Sequence, residues 1–275
     1  MSFPMAKEQF EFEAQEAAKI ALLAGEKLRT GFTKDIRISH KGSTDLVTEM
    51  DIASEHLIKK SLAQVFPQDN YLGEELGGCS FDKGRVWVVD PLDGTTNYAH
   101  GLGIFAVSIA LCIDGNPKAG VVYQPITNEI FMGWENGGAY RNNVKISVSK
   151  RATLKESLAV TGFPYSIEDC LDSTLKRLRR MMIETRGIRR LGSAAMDLCY
   201  VAGGIFDLFW ETGLKPWDIA AGIVILREAG GKTTDFSGNP IILDCGELLS
   251  TNHILHADAL KLVAQQPHIA GKVKR

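Results

Sequence analysis

Three features of this 275-residue chain predict a mixed α and β fold built from stacked helix and sheet layers. A long helical period lies near the start, β-rich segments separated by turn signals run from 103 to 141, and helix and strand patterns alternate again beyond about residue 151. With 45% hydrophobic residues there is enough apolar surface for one large core. The expected organisation is an α+β half over 1–150 and an α/β half over 151–275, coupled into one compact unit.

Residues 9–31 place Phe10, Ala17, Ile20, Ala21, Ala24 and Leu28 at helical spacing and end near Gly31, which reads as an amphipathic helix. A second helix is expected from about Thr48 to Val65, stopping before Pro67. Val86–Val89 is a short apolar, β-branched strand, closed by Asp90-Pro91 because proline cannot continue a hydrogen-bond ladder. Gly103–Ile113, Gly120–Gln124, Glu129–Trp134 and Gly138–Arg141 follow, separated by Asp114-Gly115, Pro125 and Asn136-Gly137. These are the signals of a largely antiparallel first sheet. After the polar stretch Ser147–Glu156, strands are expected at Leu158–Thr161 and Ile205–Trp210, and helices at 172–186, 193–203 and Asp218–Ala229.

Composition excludes several function classes. Lys plus Arg number 31 against 33 Asp plus Glu, so no bulk cationic field exists to collect nucleic acid or anionic lipid. Five scattered cysteines without a C-x-x-C pair suit reduced thiols in a cytoplasm better than a disulfide frame. The N-terminus has no apolar leader, and the most apolar stretch falls short of the ~20 residues that span a bilayer, so neither export nor a membrane span is expected. The basic run Lys176–Arg180, with Arg186, Arg189 and Arg190, reads as a solvated helix face, and His253 with His256 as a surface turn.

The chemistry concentrates at Asp90-Pro-Leu-Asp93-Gly-Thr-Thr-Asn97. Two carboxylates in a tight turn repel unless a cation lies between them. Hard Mg²⁺ takes oxygen ligands, and this turn offers Asp90, Asp93, the Leu92 carbonyl and the Thr95 hydroxyl. Gly94 lets backbone approach, and free N–H groups at a helix start would hold a phosphate. An Asx-turn with an N-cap is the other reading of an isolated D-x-x-D-G. Glu74-Glu75 and Asp218 are, taken alone, an exposed charge pair and a helix cap.

Together these segments resemble the signatures of the inositol monophosphatase family. Gly73-Glu74-Glu75, Trp87-Val-Val-Asp90-Pro-Leu-Asp93-Gly-Thr-Thr-Asn97 and Lys215-Pro-Trp-Asp218-Ile-Ala-Ala-Gly222 occur in the family's order and spacing. Lys41-Gly-Ser-Thr-Asp45-Leu-Val-Thr-Glu-Met-Asp51 and Gly192-Ser193-Ala194-Ala195 extend the resemblance over nearly the whole chain.

That resemblance implies a layered αβαβα fold and Mg²⁺-dependent hydrolysis of inositol 1-phosphate by water, with two or three ions. Glu74, Asp90, the Leu92 carbonyl and Thr95 would hold one ion, and Asp90, Asp93 and Asp218 a second. Thr95, bonded to Asp51, would orient or deprotonate the water, with Glu74 also counted among the catalytic groups. Gly94 and Thr95 would bind phosphate, while Asp93, Gly192, Ser193, Ala194 and Glu211 would read substrate hydroxyls. Lys41 and Asp45 either border the site, as in relatives, or are surface charges.

Animal members carry a histidine where this chain has Lys215, which adds a cation and leaves fructose 1,6-bisphosphate and 3′-phosphoadenosine 5′-phosphate as alternative substrates. A solvated loop lysine is the other reading of Lys215. A homodimer and lithium sensitivity also follow from the resemblance. Association with RNA or the transcription machinery is the alternative from another class, and it is not favoured.

Overall fold

A computed structural model describes residues 9–32, 38–40, 46–164 and 167–264. The first layer is the helix pair α1 (Glu11–Gly31) and α2 (Glu49–Val65), with the short hairpin β1 (Ile38–His40) and β2 (Leu46–Thr48) between them. On α1 the buried residues Ala14, Ala17, Ile20, Ala21, Ala24, Gly25, Leu28 and Gly31 recur every three or four positions, which puts one small-residue face against the sheet below. Thr48 caps α2, and Asp51 at its third position accepts a hydrogen bond from the Thr48 N–H at 2.8 Å.

The second layer is an eight-stranded sheet. It comprises β3 (Asn70–Gly73), β4 (Gly77–Gly78), β5 (Arg85–Asp93), β6 (Ala106–Ile113), β7 (Asn116–Gln124), β8 (Glu129–Trp134), β9 (Gly138–Arg141) and β10 (Val144–Lys145), with the short helix α3 (Thr95–Ala99) after β5. Spatial order is β10-β9-β8-β7-β6-β5-β3-β4, antiparallel throughout except for the β3–β5 pair. Strand β5 is buried on both faces, which explains its unbroken apolar run. Trp87 and Val89 enter the core shared with α1 and α2, while Val86 and Val88 enter the core on the opposite side.

That opposite side is the third layer, α5 (Ala194–Ala202) and α6 (Pro216–Glu228), clamped between the two sheets. The fourth layer is a five-stranded sheet ordered β12-β11-β13-β15-β14. Its strands are β11 (Leu158–Thr161), β12 (Gly187–Arg189), β13 (Leu208–Thr212), β14 (Lys232–Thr234) and β15 (Glu247–Thr251). The helices α4 (Leu171–Glu184) and α7 (His256–Val263) close the fifth layer around Met181, Trp210, Phe236 and Leu249. The αβαβα order expected from the resemblance is therefore present. Each fully buried Leu, Ile or Phe in these cores contributes about 1.5–3 kcal/mol by leaving water.

Four expectations need correction. Strand β5 does not stop at Asp90 but continues to Asp93, with its register against β6 broken between those two residues. Pro91 fits that break because it has no N–H to offer a ladder. Strand β13 begins at Leu208 rather than Ile205, because the N–H groups of Ile205 and Phe206 both turn back to the Tyr200 carbonyl at 2.9 and 3.1 Å.

The basic run on α4 is not wholly solvated. Arg177 is buried, donates to the Val263 carbonyl at 3.0 Å and lies 4.6 Å over the Phe236 ring. Arg180 donates to the carbonyls of Leu262 and Ala264, both at 3.2 Å, so the two arginines satisfy the open end of α7.

His256 is not on the surface either. Its Nε2 and Nδ1 each lie 3.0 Å from a threonine hydroxyl, those of Thr234 and Thr251. Thr234 spends its proton on the Asp235 carbonyl and Thr251 receives the His253 N–H, which assigns the proton of a neutral ring to Nε2.

Burial, and then the charges of Lys232 and His253, push the His256 imidazole down to about 4 from its usual 6.5. Between those values only the unfolded chain takes up a proton, so this group lowers stability as the pH falls through that window. Chemical denaturation of wild type and His256→Gln at intervals from pH 7 to pH 4 is expected to show the stability difference shrinking as the pH falls.

Candidate active site

Strand β5 ends in the bulge, and the bulge aims its side chains. The Leu92 N–H folds back onto Asp90 Oδ1 at 2.9 Å, while the Leu92 side chain is sunk in the α1–α2 core and anchors the turn. Gly94 follows at φ +97°. A Cβ there would lie 3.0 Å from the Ile104 carbonyl oxygen and 3.2 Å from that of Gly192, so the turn requires glycine on both counts. Thr95 Oγ1 is 3.0 Å from Asp51 Oδ1 and 3.0 Å from the Leu92 carbonyl, two acceptors for one hydroxyl proton.

The second half of the chain is tied to this turn. Asp93 Oδ2 accepts from Ser193 Oγ at 2.6 Å and from the Ala195 N–H at 2.8 Å, which holds the first turn of α5. Asn97 Nδ2 bridges the Ile104 and Leu191 carbonyls at 2.7 and 2.8 Å. On α6, Asp218 Oδ2 accepts the Lys215 N–H at 2.7 Å, which leaves its carboxyl in the first helical turn, facing the cleft. Glu211 comes from β13, and Gly162 opposite has no side chain, so the two segments can meet.

The result is a cleft of about 110 Å³, lined by Glu74, Asp90, Leu92, Asp93, Gly94, Thr95, Thr96, Gly162, Phe163, Arg190, Gly192, Ser193, Ala194, Glu211, Leu214 and Asp218. Eleven residues singled out in the sequence thus face one space. Asp51 lies behind Thr95, fully buried. Lys215 is exposed and does not line the cleft. Lys41 and Asp45 lie outside the described residues.

Sequence reasoning missed Arg190, assigned to the basic run, although it lines the cleft and is the cation that acts on Asp93, Asp197 and Glu211. Asn97 was visible as the end of the motif but drew no role. Asp197 is buried with Oδ1 unpaired, within a turn of the Gly192–Ala195 motif but outside it.

Electrostatics explain why these positions are demanding. Asp90 is held well above the ordinary carboxylate range by burial and then by the charges of Glu74, Asp93 and Asp218. Burial raises Asp93 to about 6 against the hydrogen bonds from Ser193 and Ala195. It raises Glu211 to about 8, opposed by Arg190. Asp218 is also raised, by burial first and then by Asp93, Glu74 and Glu211 despite its bond to Lys215. Burial lifts Asp51 as well, against hydrogen bonds from Thr48 and Thr95.

Among the described residues no three acidic, imidazole or thiol groups close into a preformed cage. The carboxylates stand apart on the walls of one cleft, as mutual repulsion demands. The donor set fits a hard divalent cation: carboxylates, a carbonyl and a hydroxyl, with no imidazole or thiol among the lining groups.

Layered fold and acidic cleft together define a phosphate-ester hydrolase, and the comparisons agree. A profile of the Inositol monophosphatase family matches residues 8–268, and the chain belongs to that family. It is 41% identical over 246 residues to an inositol-1-monophosphatase of Mesorhizobium japonicum, covering 88% of this chain and 92% of that protein. To the Nus factor SuhB of Pseudomonas aeruginosa it is 40% identical over 245 residues, 87% of this chain and 90% of the relative.

Among solved structures, the extragenic suppressor protein suhB of Bartonella henselae superposes with a TM-score of 0.88 at 36% identity, over 94% of this chain and 100% of the other. The inositol monophosphatase of Anabaena gives 0.85 at 38% identity, over 95% and 98%. The protein is a phosphatase, a phosphoric monoester hydrolase.

Groups whose folded values are raised bind protons that the unfolded chain releases, so the metal-free protein gains stability as the pH falls from 8 towards 6. Asp218→Asn removes one of the repelling charges and keeps an acceptor for the Lys215 N–H. In EDTA at pH 8 its melting temperature is expected to exceed that of wild type, by about 2–4 °C per kcal/mol of repulsion removed. The gap should narrow towards pH 6.

Proposed function

We propose that this chain hydrolyses inositol 1-phosphate to inositol and phosphate with bound Mg²⁺. The observation that supports this most is the meeting of Glu74, Asp90, Asp93 and Asp218, from three separate segments, in one cleft that also holds the Leu92 carbonyl and the Thr95 hydroxyl. Glu74, Asp90, Leu92 and Thr95 would hold one ion, and Asp90, Asp93 and Asp218 a second. Bound there, Mg²⁺ supplies a water of lowered pKa and neutralises charge on the phosphate oxygens.

The protein's own groups do the rest. Thr95 Oγ1 directs its proton to Asp51 Oδ1, 3.0 Å away, and so presents a lone pair that orients the attacking water. Asp51, made more basic than usual by burial, stands behind it as a proton acceptor. The N–H groups of Gly94 and Thr95 bind the phosphate at the start of α3. Glu211, Ser193, Ala194 and Asp93 form the wall that reads the substrate hydroxyls, with Gly192 allowing close approach. A carboxylate facing paired hydroxyls makes charge-assisted bonds that a hydroxyl-free substrate forgoes.

Fructose 1,6-bisphosphate and 3′-phosphoadenosine 5′-phosphate are second substrates to compare. Lys215 gives them little support, being exposed and outside the cleft, whereas Arg190 stands on the cleft wall, where its charge acts on Asp93 and Glu211. A role beside the transcription machinery is suggested by the name of one relative, the Nus factor SuhB of Pseudomonas aeruginosa. Arg177 and Arg180 are spent on α7, which reduces the basic surface on α4 that such a role would use. A homodimer, lithium inhibition and a cytoplasmic location complete the reading on the strength of the family likeness.

Phosphate release from the three esters, each with Mg²⁺, with EDTA and with added Li⁺, tests the reading. Turnover of inositol 1-phosphate that requires Mg²⁺ and falls with Li⁺ is the expected result, and no turnover of any ester under these conditions would remove the proposal. Asp93→Asn is expected to lower kcat by about 10³-fold or more while the circular-dichroism spectrum stays that of wild type.

A further inference from the structure

The buried face of α2 carries polar groups in its first half and apolar ones in its second. Asp51, Ser54, Glu55, Ile58 and Leu62 share that face, and the first three each reach a different segment of the cleft wall. Asp51 meets Thr95, Ser54 Oγ donates to the Pro91 carbonyl at 3.0 Å, and Glu55 meets the turn that carries Glu74.

Glu55 is fully buried and 16 to 21 residues distant in sequence from its partners. Its Oε1 accepts from the Tyr71 hydroxyl at 3.0 Å and the Leu76 N–H at 3.1 Å, and its Oε2 from the Glu75 N–H at 2.7 Å. A Cβ at residue 73 would lie 1.9 Å from Glu55 Oε1, so the glycine before Glu74 is what lets the carboxylate reach the turn. From the other side the Glu74 N–H donates to the Val89 carbonyl at 3.2 Å, on β5. Residue 74 is thus pinned between the strand that bears Asp90 and the helix that bears Asp51.

We propose that Glu55 is a positioning residue that sets Glu74 in the cleft by holding the backbone of residues 75 and 76. The inference rests on the assignment of Glu74 as a metal ligand. A carboxylate satisfying three donors fixes a turn in two directions at once, which a neutral acceptor of the same shape does not. In Glu55→Gln the amide group turns a donor towards at least one of those N–H or O–H groups. The turn relaxes, and Glu74 loses its fixed distance to Asp90.

Calorimetric titration of the metal-free protein with Mn²⁺ reads this directly. Glu55→Ala is expected to raise the Kd about tenfold or more and Glu55→Gln somewhat less. The double variant Glu55→Ala/Glu74→Ala is expected to bind no more weakly than Glu74→Ala alone, because a residue that acts through Glu74 has nothing left to act on. A merely structural role predicts additive losses instead, and additivity would overturn the proposal.

Where Glu55→Ala does not fold, Glu55→Gln carries the test, and an unchanged Kd in that variant overturns the proposal equally. Hydrogen exchange of the Glu75 and Leu76 amides in metal-free protein separates the two readings. Faster exchange in Glu55→Gln than in wild type is expected whether or not metal binds, and equal exchange overturns the clamp itself. Wild type that takes up no Mn²⁺ while these amides stay protected would instead remove the metal assignment of Glu74.

Discussion

Like charge gathered in a poorly solvated cleft is the constraint on which this structure turns. Asp90 and Asp93 stand at the end of a strand buried on both faces, and Glu74, Glu211 and Asp218 open into the same cleft. Left to water these groups would separate. They are held by donors attached to rigid elements: the Leu92 N–H on Asp90, Ser193 and the Ala195 N–H on Asp93, and the Lys215 N–H on Asp218. Each such bond to a charged acceptor is worth about 1.5–3 kcal/mol. The repulsion is thereby retained in the metal-free fold, where a divalent cation is the natural group to relieve it.

The same bonds join the two sheets. Asp93 belongs to the end of β5 in the eight-stranded sheet, yet its partners start α5, which packs under both sheets. Asn97 spans to the Leu191 carbonyl, and Ser108 Oγ on β6 reaches the Trp217 carbonyl at 3.3 Å, one residue before Asp218. A cleft built this way cannot assemble in one half of the chain alone. Its formation is coupled to closure of the middle helical layer, whose residues bury against strands of both sheets.

Much of the layer order was legible because long elements repeat their period. The 21 residues of α1 show it clearly, and β8, β9 and β11 are bounded by Gly, Asn and Ser where strands end. Length alone does not decide this, since β9 and β11 have four residues each; β3 and β14 have four and three residues and carry no comparable run of apolar positions between turn signals. Pro91 misled because a proline at a bulge and a proline ending a strand look alike in one dimension.

The cleft residues were legible for a different reason, their resemblance to a family's spaced motifs. What escaped was the support behind them. Glu55 reads as one more acidic residue on a helix, and Arg177 as one more basic one. Their importance depends on partners 16 to 86 residues away. Arg190 was hidden by its basic neighbours, which pointed to a surface rather than to a cleft.

Titration divides the molecule into two regions that respond to acid in opposite senses. Acid works against the fold at His256, where a neutral ring fills a site between two threonines, because only the unfolded chain gains a proton there. Acid works for the metal-free fold at Asp90, Asp93, Glu211 and Asp218, because protonation removes charges that repel. A divalent cation in the cleft would cancel the second response and leave the first. The pH of greatest stability should therefore shift upward when metal binds, since the carboxylates then lose their reason to favour the acidic side while the imidazole keeps its own.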